Sequence, residues 1–412
     1  MKRHQFLSCL AAVSVFLLQP TLVLAAKIPP SAVVGKGGAK GNTAVQSYPV
    51  PIPPEIAANA YLLIDVSANG QVLAEKNADK SVEPASLTKL MTAYLVFEAL
   101  KNKRLSLEQK LTVSERARAA EGSRMFIDVG WQVPVEDLLK GLIVQSGNDA
   151  ANVLAEGVGG SLSNFVQMMN NKAQELGMKG THYQNAEGLT VQGHYTTAHD
   201  LAVLAQRLLQ DFPQYTGFYA IKKYRYPGTP LSNDTNRNTL LFRDPSVDGL
   251  KTGHTAAAGY CLVSTAKREY AGIGGRRLVS IILGAASDNV RAAESQKLLN
   301  WGFVAYQPVK LFAGGTPVST PPIYKGSSST VALGLSNDIV VAVPAGTAGQ
   351  VSTAMSRPDP LIAPVRKGQR IGILQISVAG RPFMNLPMEA LQDVSQAGWF
   401  GRGWDAVRLW VQ

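Results

Sequence analysis

Three short motifs place the residue types of a serine-based acyl transfer in a workable order: Ser86-Leu87-Thr88-Lys89, then Ser146-Gly147-Asn148, then Lys251-Thr252-Gly253. A serine hydroxyl attacks a carbonyl well only if a neighbouring base removes its proton. A lysine serves as that base when burial or a nearby cation disfavours its ammonium form. Lys89 lies in a nearly all-apolar stretch and Lys251 is a candidate second cation, so both conditions can be met. Ser146 can relay a proton between these amines and a leaving group, and Asn148 can hydrogen-bond a substrate amide. Backbone N–H groups must hold the oxyanion; the helix start at Ser86 and the strand edge just after Lys251-Thr252-Gly253 are natural sources.

Spacing separates these motifs from decoys. Apolar residues at Leu87, Leu90, Met91 and Tyr94 predict a helix over Pro84 to Leu100, with Pro84 in its first turn. Residues three apart on a helix share a face, so Ser86 and Lys89 can touch. A second S-x-x-K, Ser264 to Lys267, starts within the strand-like run Tyr260 to Ala266, where residues three apart point to opposite faces. Ser67-Ala68-Asn69 runs into Gly70 and suits a hairpin turn. Lys-Thr-Gly occurs once.

On these motifs the chain resembles the low-molecular-weight penicillin-binding proteins, the D-alanyl-D-alanine carboxypeptidases of the bacterial cell wall, from about Pro53 to Gln412. The resemblance implies Ser86 as acyl-enzyme nucleophile, Lys89 as general base, Ser146 and Asn148 as the second element, and Lys251, Thr252 and Gly253 as the third. It implies an oxyanion hole from the amides of Ser86 and His254. Arg291, in Arg291-Ala292-Ala293-Glu294-Ser295, inherits the role of binding the substrate's terminal carboxylate, and Gly122-Ser123-Arg124-Met125-Phe126 looks like the cleft rim. The implied substrate is a peptidoglycan pentapeptide that loses its terminal D-alanine; β-lactam antibiotics would acylate the same serine. No cofactor or metal is implied. A D,D-endopeptidase and a non-catalytic wall-binding protein are the alternatives, and the intact motif set argues against the second. His182, His194, His199 and His254 lack metal-site spacing, Glu187 lacks the context of a deacylating glutamate, and Arg237-Asn238-Thr239-Leu240-Leu241 resembles the family segment ahead of the third motif.

The chain has 412 residues, 46% of them hydrophobic, enough for two to three domains. Residues 1–25 read as a signal peptide: Met1-Lys2-Arg3, an apolar run from Phe6 to Leu24 broken by Gln19-Pro20, and an A-x-A-like Val23-Leu24-Ala25. Cleavage removes Cys9 and leaves Cys261 alone, and lowers the formal charge from +11 to +9. Scattered basic residues without aromatic interleaving argue against a nucleic-acid partner; an anionic membrane or wall polymer fits better. Residues 26–54 read as a flexible lead, 55–306 as the catalytic domain and 307–387 as a small all-β domain. Strands Tyr61 to Val66 and Gln71 to Glu75, helical patterns from Ser106 to Asp211, strands Tyr260 to Ala266 and Arg277 to Gly284, and a helix over Val290 to Ala305 predict an α+β fold. Its expected form is a penicillin-binding/β-lactamase-like antiparallel sheet with helices and a helical insert. Residues 388–412, with Trp399, Trp404 and Trp410, are expected to form an amphipathic helix lying on a membrane surface. The expected location is the periplasmic face of the inner membrane.

Overall fold

The computed structural model describes residues 50–399, Asp405 and Trp410. Strands β1 (Ala60–Asp65) and β2 (Gln71–Lys76) form the first hairpin, and a 3-10 turn at Ala85–Thr88 runs into helix α1 (Lys89–Lys101). A largely helical lobe follows: β3 (Lys110–Thr112), α2 (Glu115–Arg118), β4 (Gln132–Pro134), α3 (Val135–Lys140), α4 (Asn148–Gly159), α5 (Leu162–Glu175), α6 (Ala198–Asp211) and α7 (Leu240–Arg243). Strands β5 (Val247–Thr255), β6 (Gly259–Tyr270) and β7 (Gly274–Ala285) complete the sheet before α8 (Asp288–Ala305).

The five strands run antiparallel in the order β2-β1-β7-β6-β5, so the Lys-Thr-Gly strand is an edge strand. Every residue of β1 is buried, because both sheet faces are covered. Leu62, Ile64, Val279 and Ile281 point into the core shared with α1 and the helical lobe. Tyr61, Leu63, Leu278 and Ile282 point the other way, onto Leu298 and Leu299 of α8. This is the period-two alternation of a strand between two helical layers. Gly302 of α8 sits where a Cβ would meet Leu63 Cδ2 at 2.5 Å, which lets the helix lie close on the sheet.

The hairpin turn is longer than the expected Asn69-Gly70 pair. Asp65 caps a 3-10 turn over Val66–Ala68, and Asn69 and Gly70 follow with positive φ. The expected continuous helix from Pro84 is a 3-10 turn followed by α1, with Ser86 in the turn and Lys89 at its junction with the helix.

Strands β8 (Tyr306–Phe312), β9 (Ile323–Tyr324), β10 (Leu333–Gly334), β11 (Ile339–Pro344), β12 (Val351–Ser356), β13 (Leu361–Ile362), β14 (Arg370–Val378) and β15 (Arg381–Ala390) build the C-terminal all-β domain. Its sheet runs β10-β15-β14-β12, with β8 paired to β11 and β9 to β13. It is docked on the catalytic domain by polar contacts of good geometry. The Gln71 amide donates to Ala342 O at 2.8 Å and accepts from Ala342 N at 2.9 Å. The buried Arg276 guanidinium pairs with Asp65 at 2.7 Å and donates to Tyr306 O at 2.6 Å.

The amphipathic helix does not begin at residue 388 or 389: Met388, Glu389 and Ala390 finish β15, and Val394 and Gln396 make isolated β-bridges with Val365 and Gly326. Most of residues 400–412, including Phe400 and Trp404, lie outside the described residues, as does the signal segment. Trp399 and Trp410 are helical and exposed, and Asp405 accepts a hydrogen bond from Lys325 N at 2.6 Å. Among the described residues no helix is long and apolar enough to cross a membrane.

Candidate active site

In a 3-10 turn residues i and i+3 eclipse, and Lys89 Nζ accordingly stands 2.9 Å from Ser86 Oγ. The turn is packed from two sides by glycines. A Cβ on Gly188, whose φ is +92°, would fall 1.9 Å from Ala85 O, and one on Gly253 would fall 3.1 Å from Pro84 O and 3.2 Å from Ala85 Cβ. Lys89 Nζ also contacts Asn148 Oδ1 and Glu187 O, each at 2.6 Å. A neutral amine has two N–H donors and one lone pair. The two oxygens take the donors, and the lone pair is left for the Ser86 hydroxyl proton. Burial brings the Lys89 pKa down to about 7, with the Glu187 charge opposing the drop and Arg237 adding to it.

Ser146 ends a π-helical turn, Gly141–Gln145, in the left-handed region at φ +58°. Its Oγ accepts from Lys251 Nζ at 2.9 Å, and Lys251 also donates to Thr252 O at 3.0 Å. Burial holds the Lys251 pKa far below that of an ordinary lysine, assisted by the cations Lys89, Arg237 and Arg291. Asn148 opens α4 and bridges the site to the rim: its Nδ2 donates to Glu121 O at 2.6 Å while its Oδ1 faces Lys89. The next residue, buried Asp149, accepts from the amides of Met125 at 2.9 Å and Phe126 at 2.8 Å and so shapes the loop around Arg124. Arg124 itself lies over the Phe126 ring, 5.0 Å from its centroid.

On β5, the Gly253 carbonyl accepts from Arg291 Nη1 at 3.0 Å. The His254 N–H belongs to the same planar peptide and points the opposite way. The His254 ring lies on Tyr260, centroids 4.0 Å apart, and the Arg291 guanidinium, paired with Asp288, lies 5.5 Å from the Tyr260 centroid. Ser86, Ser146, Asn148, Thr252, Gly253, His254 and Arg291 all line one cavity of about 520 Å³; Lys89 and Lys251 lie behind it and reach it through the two serines. The structure therefore brings all nine expected site residues together.

The decoys stay apart from it. Buried Ser264 bonds Ser295 Oγ at 2.6 Å, whereas Lys267 is exposed; Ser67 accepts from Arg277 N at 2.9 Å. Among the described residues no group of three His, Cys, Asp or Glu could hold a metal ion. Three further contributors lie outside the nine expected site residues, and of these three the sequence pointed only to the Arg237 segment, without a role in the site. Glu187 contacts Lys89 through a main-chain carbonyl, which no side-chain motif announces. Asp149 acts on the rim through backbone amides. Arg237 lines the cavity, while the adjacent Asn238 donates to Gly249 O at 3.0 Å and supports β5.

A serine paired with a buried lysine, beside a second serine that accepts from a lysine on an edge strand, defines a serine peptidase of the acyl-enzyme type. Residues 46–287 match the family model described as D-alanyl-D-alanine carboxypeptidase, and residues 306–396 match that of the penicillin-binding protein 5 C-terminal domain. The chain is 39% identical over 364 residues to the D-alanyl-D-alanine carboxypeptidase DacC of Escherichia coli, covering 86% of this chain and 89% of that one. Penicillin-binding protein 5 of Haemophilus influenzae superposes with a TM-score of 0.77 at 35% identity, over 84% of this chain and all of that one. Penicillin-binding protein D2 of Listeria monocytogenes, in its ampicillin-bound form, superposes with a TM-score of 0.54 at 34% identity, over 61% of this chain and all of that one. The protein belongs to the D-alanyl-D-alanine carboxypeptidase family of low-molecular-weight penicillin-binding proteins.

Proposed function

We propose that the protein is a serine D-alanyl-D-alanine carboxypeptidase that removes the terminal D-alanine from peptidoglycan pentapeptides through an acyl-enzyme on Ser86. The observation that carries this reading is the Lys89 amine, buried, with a pKa near 7 and 2.9 Å from Ser86 Oγ. Neutral Lys89 takes the hydroxyl proton as Ser86 Oγ bonds to the penultimate D-alanine carbonyl carbon. The amides of Ser86 and His254 receive the oxyanion; each such donor is worth about 10²–10³ in rate. Ser146, on the Lys251 amine, relays the proton taken up by Lys89 to the nitrogen of the departing D-alanine as the C–N bond breaks, and water then cleaves the ester, its proton passing through Lys89 back to Ser86. Asn148 hydrogen-bonds the substrate amide, and Arg291 and Thr252 meet the terminal carboxylate. Gly253 lets β5 lie close to the nucleophile's turn.

Penicillins acylate the same serine in this reading, which the ampicillin-bound form of the Listeria relative supports. The N-terminal segment carries the chain across the inner membrane, and the tryptophan-bearing C-terminus rests on its periplasmic face. Purified protein should release D-alanine from a monomeric pentapeptide muropeptide and leave a cross-linked dimer intact. Cleavage of the dimer with the pentapeptide untouched would replace the carboxypeptidase by an endopeptidase.

A further inference from the structure

The catalytic cavity is bipolar. Arg237 and Arg291 give it positive charge, and Asp288 is committed to Arg291. Glu187 also lines the cavity, and among the described residues its carboxylate forms no ion pair. Its loop lies against the nucleophile's turn, through Gly188 on Ala85 O, while β5 lies against the same turn through Gly253. A second carboxylate ties this loop to β5: Glu83 Oε2 accepts from Thr190 Oγ1 at 2.6 Å and from Thr255 Oγ1 at 3.4 Å.

A peptide with its terminal carboxylate on Arg291 and its scissile carbonyl at Ser86 extends its donor side away from the arginine. From this arrangement we propose that Glu187 is a specificity-determining residue that binds a primary ammonium on the side chain of the donor residue preceding D-Ala-D-Ala. The inference rests on the carboxypeptidase reading and deepens it by naming a cationic substrate class. The carboxylate is half-buried and feels the charge of Lys89, whose amine is bonded to Asn148 Oδ1 and to the Glu187 main-chain carbonyl rather than to this carboxylate, so a substrate ammonium gains a charge-assisted hydrogen bond that a neutral side chain cannot make.

The test compares Nα-acetyl-L-Lys-D-Ala-D-Ala with its Nα,Nε-diacetyl counterpart, in the wild type and in Glu187→Gln. The wild type should favour the free ammonium by about 5- to 20-fold in kcat/KM, and the variant should lose most of that preference. The ratio of the two peptides cancels any effect of the substitution on Lys89, which both peptides feel alike. Equal turnover of the two peptides by the wild type overturns the proposal whatever the variant does, as does a preference that Glu187→Gln leaves intact. Failure of the wild type to release D-alanine from either peptide is a different result and strikes the carboxypeptidase reading itself. A third peptide with meso-diaminopimelate in place of lysine identifies the source of the ammonium: faster turnover than the lysine peptide assigns diaminopimelate, and slower assigns lysine.

Discussion

Lys89 Nζ and Ser86 Oγ stand 2.9 Å apart across one 3-10 turn, and the other two contacts of the amine are oxygens of Asn148 and Glu187. The amine is thereby oriented with its lone pair toward the nucleophile. Burial supplies the rest, by making the ammonium unfavourable.

The first consequence is a pH dependence with a definite sign. The reactive form is neutral Lys89, whose pKa is brought down to about 7. Acylation of the protein by penicillin should rise about tenfold per pH unit below that value and level off above it. Second-order acylation rates from pH 5 to 9 check this; a rate that falls across the range contradicts it.

Removal of the Ser146 hydroxyl takes away the group that accepts from Lys251 at 2.9 Å. Ser146→Ala should lower kcat/KM for D-alanine release by about 10²–10⁴. The melting temperature should stay within a few degrees of wild type. A variant with near wild-type turnover would remove Ser146 from the proton path.

Gly188→Ala puts a Cβ 1.9 Å from Ala85 O at a φ of +92°. The loop or the nucleophile's turn must move, at a cost of about 1–3 kcal/mol. Loss of penicillin acylation together with a lowered denaturant midpoint is expected, and an unperturbed midpoint would contradict the packing described.

Arg276, paired with Asp65 inside the catalytic domain, reaches the β domain by donating to Tyr306 O. Both side chains of the pair are fully buried, so Arg276→Ala leaves a carboxylate without its partner. Such a loss costs about 3–5 kcal/mol. Chemical denaturation should show it, and Asp65→Asn in the same chain should restore part of the stability.

What was legible in the sequence follows from how local each feature is. The Ser86–Lys89 pair is set by three-residue spacing, and α5, β6, β7 and α8 follow from periodicity. The meeting of Lys251 with Ser146 joins residues 105 positions apart, which spacing alone could not supply. The positive φ of Ala85 and Ser146 has no signature in those residue types. In the β domain, β15 contains Pro382 and Pro387, which argue against a strand. It tolerates them because β10 covers only its last two residues, Glu389 and Ala390, so the rest of β15 is an edge. β8 contains Pro308 and β12 has few apolar residues, so these also escaped. Glu389 and Ala390 are helix-favouring types, yet pairing with β14 and β10 wins over propensity.

The most direct test of the account is release of D-alanine from Nα,Nε-diacetyl-L-Lys-D-Ala-D-Ala by the purified protein without its signal segment, beside Ser86→Ala. The account predicts release by the wild type and none above background by the variant. Release that survives in Ser86→Ala would contradict it, since the hydroxyl that Lys89 is placed to deprotonate would then have no part in the reaction.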